Sequence, residues 1–132
     1  MMKKILLLIS LLVSSTALAK QPQPFTETQF SQLQASGQPI LVDIYAKWCG
    51  TCKKQSNVIA EYFARNPTST ITVLRVDYDK QKDDVKRFKA TRQSTLIAFS
   101  QGQEQSRMIA QTKQKKLFDM LTSIDSATAA QF

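Results

Sequence analysis

Cys49 and Cys52 are the only two cysteines in the 132-residue chain, and Gly50 and Thr51 stand between them. Two thiols at that spacing can close on each other as a disulfide and reopen. Ahead of the pair, Ile40-Leu41-Val42-Asp43-Ile44-Tyr45 is a compact apolar run broken by one acid, as a buried strand would read. Behind it, from Cys52 to Asn66, Val58, Ile59, Tyr62 and Phe63 recur at helical spacing. The local order is strand, cysteine pair, helix. A thiolate at a helix N-terminus lies near unpaired backbone N–H groups and the positive end of the helix dipole, which favour the charged sulfur. Cys49 is therefore the expected nucleophile, and Cys52, one turn into the helix, the shielded resolving thiol.

The stretch Val42-Asp43-Ile44-Tyr45-Ala46-Lys47-Trp48-Cys49-Gly50-Thr51-Cys52-Lys53 resembles the active-site segment of thioredoxins, whose pattern is V-D-F-W-A-x-W-C-G-P-C-K. Asp43, Ala46 and Trp48 match beyond the cysteines, and the resemblance implies that Gly50 and Lys53 help to shape the active site or substrate groove. Thr51 stands where thioredoxins carry proline, and related oxidoreductases differ in redox poise at that position. The resemblance implies a thiol:disulfide oxidoreductase exchanging its dithiol with protein thiols and disulfides, without a cofactor. It also implies that Asp43 is a buried acid managing the Cys52 proton, with its pKa raised by burial. A strand-end Asp turned to solvent is the alternative. Arg75 aligns with a lysine that neighbours this acid in the family. Trp48 would shape access to the pair, and Gly50 and Thr51 would form its turn.

Met1 to Ala19 reads as a secretory leader: Lys3 and Lys4, an apolar run from Ile5 to Val13, then Ala17-Leu18-Ala19 as a small-residue cleavage site. The apolar run is far shorter than the roughly 20 residues a membrane span needs. The expectation is a periplasmic or secreted protein starting at Lys20, with residues 20–132 as one domain and a monomer as the default. Without the leader's two lysines the formal charge falls from +8 to +6. An exported chain with no aromatic-basic recognition motif disfavours nucleic acid, so the excess reads chiefly as a solvated basic face. In an oxidising compartment the pair could also persist as an inert staple. Closing so short a loop contributes only about 2 kcal/mol, which favours exchange over stapling.

The remaining elements follow from punctuation and period. Lys20 to Pro24 shows no pattern. A helix opens at Thr26, with Gln29 completing a capping box and Phe25 and Phe30 a hydrophobic staple, and Gly37 and Pro39 stop it. Ile71 to Val76 is a second buried strand, and Asp83 to Lys89 a short helix with Val85 and Phe88 inward. Thr95–Phe99, a turn at Ser100–Gln103 and Glu104–Ile109 form a hairpin. Leu117, Leu121 and Ile124, with Phe118 beside them, mark a final helix. The order is that of the thioredoxin-like α/β fold, a central mixed β-sheet flanked by helices.

One departure bears on the substrate groove. Thioredoxins carry a cis-proline followed by Thr before the hairpin, and here the pair is Ser94-Thr95. A cis bond before a non-proline residue costs about 3–4 kcal/mol, against about 0.5–1 before proline, so the Gln93–Ser94 bond is expected trans and the groove reshaped. A cis bond enforced by the fold is the alternative. Two other functions compete with oxidoreduction. The groove could hold an extended peptide without catalysis. Alternatively, two subunits could share four thiolates around a metal or cluster, since this histidine-free chain cannot complete a usual zinc site alone. An exported reductase would also need a membrane partner supplying electrons, and an oxidase a sink for them.

Overall fold

The computed structural model describes residues 20–129, so the leader expected at 1–19 lies outside the described residues. The elements are β1 (Gln23–Pro24), α1 (Glu27–Ala35), β2 (Ile40–Tyr45), α2 (Gly50–Arg65), β3 (Thr72–Asp77), α3 (Lys82–Arg87), β4 (Thr95–Ser100), β5 (Gln103–Ile109) and α4 (Gln114–Ala129). They form one five-stranded sheet in the order β1-β3-β2-β4-β5. β1, β3 and β2 run parallel to one another, β4 runs antiparallel to β2, and β5 antiparallel to β4. β2 is the central strand.

Alternation along β2 divides the molecule. Ile40, Val42 and Ile44 face a core with Phe25 and Phe30 near α1 and Val85 and Phe88 near α3. Leu41 faces the other core, built on Ile59, Tyr62 and Phe63 of α2 and Leu117, Leu121 and Ile124 of α4. Both faces are covered, which is why the strand reads as continuous apolar sequence. The period of two places Asp43 on Leu41's side, the side of α2.

The sequence leaves Lys20–Pro24 without structure, but Gln23 and Pro24 form β1. Gln23 pairs with Leu74 and Pro24 with Arg75, and the Phe25 N–H donates to the Arg75 carbonyl at 2.9 Å. A proline is tolerated there because β1 is the sheet edge. The capping box of α1 is only half made. Thr26 Oγ1 accepts the Gln29 N–H at 3.2 Å, while the Gln29 side chain turns to Gln23 instead. The staple is formed, with the Phe25 and Phe30 rings 5.6 Å apart. The other helices and strands begin and end within two residues of their expected positions, apart from the longer C-terminal helix.

Candidate active site

β2 ends at Tyr45, and the chain turns through Ala46, Lys47 and Trp48 into the N-terminus of α2. Cys49 is the N-cap: its backbone is extended, and its Sγ accepts the backbone N–H of Cys52 at 3.1 Å. Cys49 and Cys52 are joined as a disulfide with their Cα atoms 5.3 Å apart. The two are 3% and 1% exposed, so shielding does not separate their roles. The two sulfurs differ in their position on the helix. Reduction would leave the Cys49 sulfur at the cap, where a helix donor and the dipole stabilise a thiolate.

Gly50 and Thr51 are the first residues of α2, not a separate turn. Nothing lies within 4 Å of where a Gly50 Cβ would stand, so the site is open there. Lys53 is exposed, and its N–H donates to the Cys49 carbonyl at 3.3 Å. Trp48 turns outward and is 62% exposed; its ring meets Tyr78 edge-on, and its Nε1–H donates to Asp79 at 3.0 Å. The indole forms a rim beside the pair.

Asp43 is 2% exposed, which removes the solvent-facing alternative. Its register partner on β3 is Arg75, whose Nε donates to Oδ2 at 3.1 Å. The same guanidinium lies 3.8 Å from the centroid of the Tyr45 ring and donates to Ser56 Oγ at 2.9 Å. Loss of water pushes the Asp43 carboxyl up to about 6, with Arg75 opposing the rise. Ser56 is four residues past Cys52, about one helical turn further along α2, so the guanidinium that pairs with Asp43 is also fastened to the helix that carries the second sulfur. A cleft of about 570 Å³ beside α2 is lined by Asp43, Arg75, Ser56, Phe63 and Ser69.

Ser94 and Thr95 close the other side. The described residues contain no cis peptide bond, so the Gln93–Ser94 bond is trans as expected. Ser94 instead takes a left-handed conformation with φ of +55° and is fully buried. Its N–H donates to the Ile44 carbonyl at 2.8 Å, and its carbonyl accepts the Ala110 N–H at 2.9 Å. Thr95 Oγ1 donates to the Arg92 carbonyl at 2.8 Å, tightening the loop.

Sequence reasoning missed Gln55. Its side chain is buried, and its Nε2 donates to the carbonyls of Ser94 and Gln111, each at 3.1 Å, while its buried Oε1 has no hydrogen-bond partner. A signal for it existed: Cys52, Gln55, Ile59 and Tyr62 make one helical stripe, and a glutamine among apolar residues there needs a partner.

The thioredoxin family model matches residues 21–123. The chain belongs to the thioredoxin family. It is 31% identical over 94 residues to a thioredoxin of Mycoplasma pneumoniae, spanning 71% of this chain and 90% of that one. The crystal structure of Trxlp from Edwardsiella tarda superposes with a TM-score of 0.72 at 40% identity, covering 76% of this chain and 98% of the other. An N21Q mutant thioredoxin from Halobacterium salinarum shares the fold, with a TM-score of 0.68 at 19% identity. The Cys49–Cys52 bond is thus the redox-active disulfide of a thioredoxin-family protein, within a thioredoxin-like α/β fold.

Proposed function

We propose that this chain is an exported thiol:disulfide oxidoreductase acting on protein substrates, with Cys49 as nucleophile, Cys52 as resolving thiol and Asp43 as proton acceptor. One observation carries the assignment of roles: Cys49 Sγ sits at the N-cap of α2 and accepts the Cys52 N–H. In the reductive direction the Cys49 thiolate attacks one sulfur of a partner disulfide. That bond breaks, a Cys49–partner bond forms, and the departing partner thiolate takes a proton. Asp43 then receives the Cys52 proton, and the Cys52 thiolate attacks Cys49 Sγ, closing the internal disulfide and releasing the second partner thiolate. Two electrons pass to the partner, and the reverse sequence oxidises a partner dithiol. A membrane redox partner would reset the pair.

Trapping tests the roles. Cys52→Ala should hold partner proteins as mixed disulfides through Cys49, and Cys49→Ser should hold none through that position. If neither differs from wild type in trapping or in insulin reduction, the assignment is wrong. Export rests on the leader pattern, and N-terminal sequencing of the protein recovered from the periplasm or medium should begin at Lys20.

A further inference from the structure

We infer that the face around the disulfide docks acidic segments of partner proteins. The inference rests on the oxidoreductase reading and adds the substrate class. Three stretches meet at this face: the end of β2 running into α2, the loop before β4, and the loop after β5. Hydrogen bonds hold them together. Ser94 donates to the Ile44 carbonyl, and the Gln55 carboxamide of α2 reaches both the Ser94 and Gln111 carbonyls.

These stretches carry no carboxylate. No Asp or Glu occurs in residues 44–60, 85–103 or 105–118. They do present Lys47, Lys53, Lys54, Arg92 and Lys113, all exposed. None of the five is in an ion pair with a described residue, a state they share with Lys80, Lys82, Lys86, Lys89 and Lys116, but here the unpaired cations flank the disulfide with no carboxylate in the same stretches. Two carboxylates, Asp77 and Asp79, stand at the end of β3 and just after it on the Trp48 side. Asp79 accepts the indole N–H, and Asp77 Oδ1 accepts the backbone N–H groups of Asp79 and Lys80.

Trp48 and Ile109 are the exposed large apolar residues among those described, and Ile109 pairs with Thr95 next to Ser94. Unpaired cations around exposed apolar side chains favour a partner with acidic residues flanking an apolar one near its disulfide. Like charge would repel a basic partner.

The test uses three peptides, each closed by an internal disulfide and identical except for four flanking residues that are all Glu, all Gln or all Lys. The reduced protein's rate on each is divided by that of dithiothreitol on the same peptide, which removes the effect of the flanks on the disulfide itself. The order Glu over Gln over Lys is expected, with about a tenfold span at low ionic strength that collapses toward one in 0.5 M salt. The Lys54→Glu/Arg92→Glu/Lys113→Glu variant should reverse the order, and the wild-type series stands without it should that variant fail to fold. Equal normalised rates for the three peptides, or an order indifferent to salt, would overturn the docking inference. Uncharged hydroxyethyl disulfide separates the two claims. If it and every peptide go unreduced, the oxidoreductase reading falls and the docking inference with it; if all are reduced equally, only the docking inference falls.

Discussion

Replacing Asp43 by Asn isolates what it costs the fold to hold a carboxylate. The acid is buried, and its titration is raised from 3.8 to about 6 because water is lost, with Arg75 only partly compensating. In the unfolded chain it titrates near the ordinary value. Between about pH 4 and pH 6 the folded state therefore keeps a proton that the unfolded state has released. Stability falls as pH rises through that window and is level above it, and the full effect is about 3 kcal/mol against the charged form. Asparagine keeps the volume and carries no charge, so it removes the slope. It also weakens the acceptor facing Arg75, a loss of about 1 kcal/mol, because that guanidinium keeps Ser56 and the Tyr45 ring and is 28% exposed. The oxidised variant should thus be more stable than wild type by about 2 kcal/mol at pH 8, with no advantage at pH 4. Urea midpoints between pH 4 and 8 at equal m value check this, and thermal scans should show a gain of about 8–10 °C at pH 8. Stability curves that run parallel across the range would refute the reasoning, as would a less stable variant at pH 8.

Substitutions at three other positions probe the site's scaffold. Gln55→Leu deletes two donated hydrogen bonds together with an unpaired acceptor, and should cost about 1–2 kcal/mol in urea denaturation while lowering kcat/KM on protein disulfides; unchanged values for both would show that the tether is idle. Ser94→Gly relieves a left-handed conformation and should leave stability within about 1 kcal/mol, whereas Ser94→Val, β-branched and fully buried there, should lose about 2 kcal/mol or more; equal midpoints would contradict the φ of +55°. Gly50→Ala points its methyl into open space at the first helical position and should gain about 0.5–1 kcal/mol by calorimetry; a loss above 1 kcal/mol would mean that the start of α2 is closed.

The legible parts of the sequence were those whose signal is local. β2 reads as a strand because both its faces are buried, and α2 reads from a stripe that starts at the cysteines. The hairpin reads from Gly102, which takes a φ of +74° in its turn. Asp43 drew notice as an acid inside an apolar run, and its partner Arg75 lies opposite it by strand register. What escaped depends on distant contacts. β1 is two residues long, too short to show a period, and exists only because β3 offers an unpaired edge. Gln55 meets carbonyls 39 and 56 residues away in the chain, a pairing no window can display. The outward turn of Trp48 likewise depends on Asp79, 31 residues on.

Ser94 and Gln55 make physical sense only together. A left-handed residue at Ser94 aims its N–H at the Ile44 carbonyl, a bond that proline, having no N–H, could not make. The same conformation turns the Ser94 carbonyl inward, where a buried oxygen with two lone pairs needs donors. Ala110 supplies one and the Gln55 carboxamide the other. That donor must come from the helix face beneath the loop, and Gln55, three residues past Cys52, lies there. A left-handed serine at this position is therefore tied to a glutamine on the redox helix. The price is the unpaired Oε1, because an amide aimed at two carbonyls leaves its own oxygen on the far side. The loop beside the disulfide is thereby fastened, through one side chain in the second turn of α2, to the helix that carries the pair.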